Sequence, residues 1–161
     1  MMKLGFKKVH PDAVLPKYAH QGDAGMDVCA VEDVVLWPFT PTLVKTGLVA
    51  EIPDGYELQV RPRSGLALKK GITVFNGTGT IDAGYRSEIG IILLWVPRCV
   101  FSSTPERLIR VRVEEPSVQK IQKGDRVAQL VLATVTRALT EEVSEVSVTE
   151  RGAGGFGHTG V

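Results

Sequence analysis

The sequence contains little that would support a membrane-spanning, secreted or nucleic-acid-binding protein. Its two cysteines, Cys29 and Cys99, lie in no CxxC or metal-ligand spacing, so we expect buried free thiols in a reducing compartment. The 19 basic and 18 acidic side chains nearly cancel, which disfavours a general binder of nucleic acids or membrane surfaces. The longest apolar run, IGIILLWV, is too short to cross a bilayer, and no apolar segment follows the basic residues near the start. We therefore expect a soluble protein in the cytoplasm, or in a host cell's interior if the chain is viral.

The glycine-rich end of the chain, RGAGGFGHTG, lacks two features of a phosphate-binding P-loop. In the pattern G-x-x-x-x-G-K-[ST], His158 stands where lysine belongs, and only Val161 follows Gly160, so we expect no helix after the loop. That helix would supply part of the anion site. The sequence therefore does not predict a P-loop, and the tail needs another function.

Turn signals recur about every eight to twelve residues and predict a β-rich domain. Segments such as QGDAG, IPDG and QKGD separate short runs of strand-forming residues, among them YELQV, EIGIILLWV and RVAQLVLATV. This rhythm is typical of a sandwich, barrel or jelly roll, and 161 residues suit one domain. Only SGLALKKG has the composition of a helix, which Ser64 can cap and Gly71 can end.

The segment RPRSGLALKKG combines groups that can bind a phosphate. Arg63 supplies a fixed positive charge, Ser64 a hydroxyl, and the predicted helix start at Ser64 and Gly65 supplies free backbone N–H groups. Helix capping alone is the alternative explanation of the same residues.

The segment NGTGTIDAGYRSEIG predicts a tight hairpin that approaches a ligand. Glycines at positions 77, 79 and 84 allow a close backbone approach, and Asn76 offers both a donor and an acceptor to a base edge. Asp82, between apolar and small neighbours, is a candidate general base if it is partly desolvated, or else a turn aspartate bonding its own backbone. Tyr85 is either a flat wall beside the ligand or an ordinary core tyrosine.

Two further segments carry single polar residues of interest. In GDRVAQLVL, Gln129 is the polar residue of a buried strand and faces either inward or towards its rim, where it needs partners. In GDAGMDVCA, Asp23 and Asp27 flank a glycine, either as turn residues or as oxygen partners for Mg²⁺. The turn is the default interpretation until another feature requires a metal.

Five segments, in this order, resemble the five motifs of the homotrimeric dUTP pyrophosphatases (dUTPases). They are DAGMDVCA, RPRSGLALK, GTIDAGYRSEIG, GDRVAQLV and RGAGGFGHTG. The resemblance covers nearly the whole chain, and five motifs in order are far more specific than any one of them. It implies an all-β, jelly-roll-like subunit with the β-clip fold, one short helix near 64–70, and a homotrimer with a C-terminal arm.

The resemblance also implies Mg²⁺-assisted hydrolysis of dUTP to dUMP and pyrophosphate, which keeps uracil out of DNA and supplies dUMP for thymidylate synthesis. Asp82 would be the base that activates water for attack on the α-phosphorus, and Asp27 would bind a water on Mg²⁺. Asn76 and the backbone from Thr80 through Ile81 to Asp82 are implied to read uracil and the sugar, Gly79 is implied to bind the substrate, and Tyr85 is implied to close the space that a ribose 2′-hydroxyl would occupy. Those implied to hold the phosphates are Arg63, Ser64, Gly65 and Gln129.

The same resemblance assigns the tail to closure over the substrate. Arg151 would reach the terminal phosphate, Phe156 would stack on uracil, and Gly157, His158 and Thr159 would cover the phosphate chain. Each of the three sites would take residues from all three subunits, with the tail arriving from a neighbour. We accordingly expect a single domain over residues 1–150 and a flexible arm over 151–161, with no membrane or nucleic-acid partner.

The chain departs from the family pattern in three places. It is longer by about eighteen residues between Asp82 and Gln129, and we interpret residues 97–115, with their alternating LIRVRV strand, as an inserted surface hairpin. A partner-binding element is the alternative. Ala153 stands where many members have a hydroxyl or an acid, and Ser87 where glycine is common.

Two other functions compete with dUTP hydrolysis. One is a dCTP deaminase, or a bifunctional relative on the same fold, which attacks the base instead of the phosphate. The other is a regulatory protein that senses a nucleotide and holds a partner with residues 97–115. Tyr85 and the complete tail favour the dUTPase over the deaminase.

Overall fold

The computed structural model describes residues 3–103, 109–113 and 117–155, with backbone only for Cys99–Ser103 and Ile109–Val113. Within these residues the chain forms thirteen strands and one helix, which confirms the predicted all-β class. The elements are β1 Gly5–Lys8, β2 Met26–Cys29, β3 Val34–Leu36, β4 Thr42–Lys45, β5 Leu48–Glu51, β6 Tyr56–Arg61, α1 Ser64–Lys70, β7 Ile72–Val74, β8 Gly79–Asp82, β9 Gly90–Trp95, β10 Cys99–Ser103, β11 Ile109–Val113, β12 Gln119–Ile121 and β13 Arg126–Thr134. No helix in the described part of the chain is long and apolar enough to span a membrane.

The strands form two larger antiparallel sheets and three strand pairs. The larger sheets have the orders β2-β13-β6-β8 and β4-β9-β7, and the pairs are β1-β5, β3-β12 and β10-β11. Alternate residues of the strands point inward, as the period of two requires. In β6 and β9, for example, Leu58 and Val60 are buried, as are Ile91 and Leu93, and they belong to one continuous core. This core fixes the two large sheets against each other and so fixes the loops at their ends.

The helix lies where the sequence predicts it, but it begins differently. Arg63 is the N-cap residue and no side chain caps the helix, so the predicted capping by Ser64 is wrong. Gly71 ends the helix in the left-handed region at φ 66°, as predicted. None of its residues is fully buried in the chain, and Leu68 is 84% exposed. The Ser64 hydroxyl is therefore free of the capping role that the sequence suggested.

The predicted hairpin over residues 76–90 does not form. Strand β7 pairs with β9, whereas β8 pairs with β6 in the other large sheet. The glycine-containing turn after Val74 therefore carries the chain from one sheet to the other instead of folding it back on itself, with Gly77 at φ 70°. The sequence predicts the turn itself correctly, but packing in the core determines which strand β8 pairs with.

The predicted hairpin within residues 97–115 is present. Strands β10 and β11 pair from Cys99 opposite Val113 to Ser103 opposite Ile109, and neither pairs with another strand in the described part of the chain. The side-chain alternation of Ile109, Val111 and Val113, and the state of the Cys99 thiol, lie outside what the structure describes.

The last 21 described residues leave the folded body. Val135 donates a backbone hydrogen bond of 2.9 Å to Gly55, and residues 135–155 contain no strand or helix. Residues 136–153 are exposed throughout, including the apolar side chains of Leu139 at 101% and Val148 at 98%. We name residues 136–155 the arm. Because water is a poor solvent for these side chains, the arm has the character of a segment that packs against another molecule.

Candidate active site

The residues predicted to read a base and a sugar line one cavity of about 190 Å³ beside β8. Because alternate residues of β8 face opposite sides, Gly79 and Ile81 are buried while Thr80 and Asp82 are exposed. The cavity is lined by Val60, Asn76, Gly79, Thr80, Ile81, Tyr85, Ile89 and Gly90. The structure thus brings together the whole predicted set Asn76, Gly79, Thr80, Ile81 and Tyr85.

Gly79 makes the space in which the Asn76 amide lies. A Cβ atom at Gly79 would lie 2.8 Å from Nδ2 of Asn76 and 3.3 Å from Cβ of Val60, closer than side chains pack. An asparagine amide offers two N–H donors and a carbonyl acceptor, so it can match a base edge that needs both. The absence of a side chain at Gly79 therefore leaves room for the Asn76 amide in the cavity.

Asp82 ends β8 directly after the lining residue Ile81 and lies opposite Glu57 of β6. Its backbone carbonyl accepts the N–H of Tyr85 at 3.0 Å, but the residue is exposed to solvent in the single chain. The expectation that its immediate neighbours desolvate the carboxylate is therefore not met within one subunit. Side chains as small as Ala83 cannot cover a carboxylate at a strand end.

Tyr85 forms one wall of the cavity and is not a core residue. Its side chain is 42% exposed, and its phenol donates a hydrogen bond of 3.0 Å to the backbone carbonyl of Glu88. Glu88 was not singled out in the sequence, although it belongs to the quoted segment GTIDAGYRSEIG. A glutamate three residues beyond the tyrosine carries no recognisable signal, because its partner is distant in sequence.

A second cluster forms around Asp27 at the far end of the same sheet. The Asp27 carboxylate, 11% exposed, accepts Nε of Arg63 at 3.1 Å and Nη1 of Arg126 at 2.9 Å. Arg63 also donates from Nη1 to the Arg126 carbonyl at 3.0 Å. Arg126 was missed in the sequence, although it stands three residues before Gln129 in the same motif. The structure thus joins the predicted metal residue to the predicted phosphate residue.

The other predicted phosphate residues lie beside this cluster. Gln129 pairs across the sheet with Asp27 on one side and with Arg61 on the other. It is half-buried, so of the two orientations that the sequence allows, the structure supports the one towards the rim. Ser64 and Gly65 are exposed at the start of α1, where the first backbone N–H groups of a helix have no intrahelical acceptor. These donors and the two arginines suit an anion at this end of the sheet.

The carboxylates of the described residues build no dedicated metal cage. Asp23 accepts the His20 N–H at 2.8 Å and is a turn residue, in agreement with the default interpretation. No group of three or more His, Cys, Asp or Glu side chains suitable for a metal occurs in residues 3–103, 109–113 and 117–155. Mg²⁺ characteristically keeps several waters and binds through one or two carboxylates plus substrate phosphates. One carboxylate is enough for such an ion when it arrives with a phosphate ligand.

Cys29 is free and half-buried, next to this cluster. Burial raises the pKa of its thiol, the nearby Asp27 carboxylate raises it further, and Arg126 and Arg63 act in the opposite direction. Because the thiolate is the reactive form, the raised pKa makes Cys29 a poor nucleophile. The prediction of a free thiol is confirmed for Cys29, and its predicted burial is corrected to partial burial.

The tail residues divide between described and undescribed positions. Arg151 is exposed and donates from Nε to the carbonyl of Gly154 at 2.9 Å, within the arm itself. The predicted roles of Phe156, Gly157, His158 and Thr159 fall outside the described residues.

Asp82 and Gln129 are too far apart within one chain to contact the same phosphate. Asp82 lies opposite Glu57 at one end of β6, and Gln129 lies opposite Arg61 at the other, on the strand across β6 from β8. Four residues along the strand and two strand spacings place the Asp82 and Gln129 Cα atoms roughly 16 Å apart. A single chain therefore does not bring the candidate base Asp82 next to the candidate phosphate residue Gln129.

Comparison with known proteins gives a consistent result. The family model of the dUTPases matches residues 12–108 and 109–160. A deoxyuridine 5'-triphosphate nucleotidohydrolase of Picosynechococcus sp. is 47% identical over 159 residues, which cover 99% of this chain and 99% of that relative.

Solved structures agree in fold as well as sequence. A dUTPase variant of Staphylococcus bacteriophage 80alpha with bound dUpNHpp is 31% identical, with a TM-score of 0.84 and coverage of 100% of both chains. A dUTPase variant from phage phi11 of S. aureus, described with a structural Mg(II) ion, is 28% identical, with a TM-score of 0.73 over 89% of this chain and 98% of that one.

Proposed function

The chain belongs to the dUTPase family, and we propose that it hydrolyses dUTP to dUMP and pyrophosphate in sites assembled from several copies of itself. The observation that carries the proposal is the joint lining of one cavity by Asn76, Gly79, Thr80, Ile81 and Tyr85, with Asp82 directly after Ile81 in the chain. In this proposal Asn76 reads the base, Tyr85 excludes a ribose 2′-hydroxyl, and Asp82 is the general base.

The separation of the two clusters supports a homotrimer with shared sites. One copy would supply the uracil cavity and Asp82, and a neighbouring copy would supply Asp27, Arg63 and Gln129. Docking the neighbour against the exposed end of β8 would also cover Asp82, which the single chain leaves in solvent. The desolvation expected of a general base would then come from the assembly.

The exposed arm supports the same arrangement. Its apolar side chains leave the body of their own chain unpartnered over residues 136–150, and a neighbouring subunit would bury them. This would bring Arg151 and the residues after it over a site elsewhere in the trimer. Stacking of Phe156 on uracil would contribute about 1–3 kcal/mol, enough to order part of a short glycine-rich segment.

The chemistry follows from the charges at the two clusters. Asp82 accepts a proton from the water that attacks the α-phosphorus, while Arg63, the Ser64 and Gly65 N–H groups and Gln129 hold the phosphate oxygens. Asp27 would hold Mg²⁺ through one of the waters on the ion, and the metal would supply positive charge against the negative charge that develops on the phosphates. The protein mainly positions groups and needs no covalent intermediate.

The cavity accounts for the choice of nucleotide. Cytosine reverses the donor and acceptor pattern at two adjacent edge positions, so the Asn76 amide and the β8 backbone would lose hydrogen bonds to dCTP. A ribose 2′-hydroxyl would collide with Tyr85, which rejects UTP by a steric clash.

The test is a comparison of dUTP, dCTP, dTTP and UTP as substrates of the full chain, with Mg²⁺ and with the metal removed by a chelator. We expect pyrophosphate release from dUTP alone and a large loss of rate without Mg²⁺. Ammonia release from dCTP would contradict the proposal and favour the deaminase. Nucleotide binding without any hydrolysis would contradict it in favour of a nucleotide sensor.

A further inference from the structure

The loop that carries Tyr85 is tied to the core through the residue that accepts its phenol. Tyr85 donates to the Glu88 carbonyl at 3.0 Å, and the Glu88 carboxylate accepts the N–H of Gly47 through Oε1 at 2.7 Å. Glu88 is partly buried, so water competes weakly for this charge-assisted bond. Glu88 thus accepts the Tyr85 phenol through its main-chain carbonyl and the Gly47 N–H through its carboxylate.

The segment that receives Glu88 cannot easily move. Gly47 has φ 66°, and a Cβ atom there would lie 2.6 Å from Cβ of His10 and 2.9 Å from Cβ of Ala13. Its neighbour Thr46 is fully buried and donates from Oγ1 to the carbonyl of Ile89 at 2.6 Å. The Gly47 N–H is therefore a donor at a fixed position.

The main chain after Glu88 is fixed at the same place. Ile89 is buried, and its N–H donates to the carbonyl of Leu48 at 2.7 Å. Between Asp82 and Ile89 the loop has internal bonds, from the Tyr85 N–H to the Asp82 carbonyl and from Arg86 to the Ala83 and Tyr85 carbonyls, and the Glu88 carboxylate ties it to Gly47. Loss of the carboxylate would remove the bond from this loop to Gly47 and leave the sugar wall with only the loop's internal bonds and the Ile89 anchor.

We propose that Glu88 is a positioning residue that sets the discrimination between dUTP and UTP, an inference that rests on the proposed function. Tyr85 can exclude the 2′-hydroxyl of UTP by steric clash only if its side chain does not move away from the ligand. The bond from the Gly47 N–H to the Glu88 carboxylate provides that resistance by holding the carbonyl to which the Tyr85 phenol is bonded. Glu88 itself contacts no substrate atom in this proposal.

The test measures kcat and KM for dUTP and UTP in the full-length protein and in Glu88→Ala. We expect the ratio of kcat/KM for UTP to that for dUTP to rise roughly tenfold, with kcat for dUTP within about threefold of its original value. Glu88→Gln keeps an acceptor oxygen at the same reach, so it should restore the original ratio.

Asp33→Ala is the matched control. The Asp33 carboxylate accepts the backbone N–H of Lys123, also at 2.7 Å, in the β3-β12 region away from the cavity. It should lower the melting temperature without changing the UTP to dUTP ratio, which separates positioning from general destabilisation.

If Glu88→Ala does not fold, Glu88→Asp replaces it, because its shorter side chain keeps the charge but does not reach Gly47. An unchanged ratio in the folded variant would overturn the inference. If the unmodified chain failed to hydrolyse dUTP, the proposed function would fail, and this inference with it.

Discussion

Arg63 donates a hydrogen bond from Nε to Oδ1 of Asp27 across 3.1 Å, so a residue proposed to hold phosphate is oriented by the residue proposed to serve the metal. Asp27→Asn would remove the charge that Arg63 and Arg126 share, and it would weaken the attraction for a hydrated cation. We expect kcat/KM for dUTP to fall by about 10- to 100-fold, and the Mg²⁺ concentration for half-maximal rate to rise. Rates measured over a Mg²⁺ titration check both effects.

Asp23→Asn is the control for this change, because its carboxylate accepts the N–H of His20 in a nearby turn. It should keep the original Mg²⁺ response. An Asp27→Asn protein with an unaltered titration would show that Asp27 does not serve the metal.

Asp82→Asn should abolish most turnover while leaving nucleotide binding. The amide keeps the size of the carboxylate but cannot accept the proton of water, and loss of a general base costs about 10²- to 10⁴-fold. Steady-state rates and calorimetric binding of dUpNHpp measure the two properties separately. Glu57→Gln neutralises the carboxylate directly across the strand pair and should change the rate little. A normal rate in Asp82→Asn would remove Asp82 as the base.

Gly79→Ala should weaken dUTP binding without unfolding the domain. The added methyl group would displace the Asn76 amide, which lies 2.8 Å from the position of that atom. We expect KM for dUTP to rise about tenfold, as for a lost base-edge contact. Gly84→Ala is the control, since nothing lies within 4 Å of its added Cβ. Equal KM values in the two variants would contradict the assigned role of Asn76.

Ending the chain after Glu150 should leave a folded trimer with little activity. It removes Arg151 and the predicted stacking and covering residues, but it keeps the exposed apolar part of the arm. Sedimentation and dUTP turnover measure assembly and activity independently. Ending it after Val135 removes that apolar part as well and should also lower the stability of the trimer. Full turnover after the first truncation would show that the tail has no part in catalysis.

Deleting the β10-β11 hairpin should preserve hydrolysis. Cys99 lies directly opposite Val113, so an Asn-Gly turn can replace residues 100–112 without stretching the chain. We expect the dUTP rate to stay within about threefold of its original value, since the hairpin pairs with no other described strand. Loss of activity would place the insertion in the active site instead. Full hydrolysis without the loss of any binding partner would contradict the alternative that residues 97–115 bind a partner.

Local features of the fold were predictable from the sequence. The runs YELQV and RVAQLVLATV became β6 and β13, and Gly71 ended the helix, because hydrophobic period and glycine conformation act within a few residues. The hairpin expected after Asn76 failed for a complementary reason. Which strand β8 joins is decided by core packing between distant segments, and no local pattern encodes it.

Local sequence patterns likewise predict only part of the candidate site. The motif sequences located Asp27, Arg63 and Asp82, but not the arginine and glutamate that orient their neighbours. Arg126 and Glu88 act on residues 99 and 41 positions away in the chain, through contacts that only the folded core creates. The solvent exposure of Asp82 was equally unpredictable, because any group that shields its carboxylate from water lies outside its neighbourhood in the sequence.

The shared sites proposed above would make genetic defects in this protein exchangeable between subunits, because Asp82 on β8 and Gln129 on β13 lie too far apart to serve one site within a single chain. A copy that carries Asp82→Asn still offers a working Arg63, and a copy that carries Arg63→Ala still offers a working Asp82. In a ring of three, every mixed assembly of these copies brings one sound Asp82 next to one sound Arg63. Two preparations that are inactive alone should therefore regain activity when they are unfolded, mixed and refolded together.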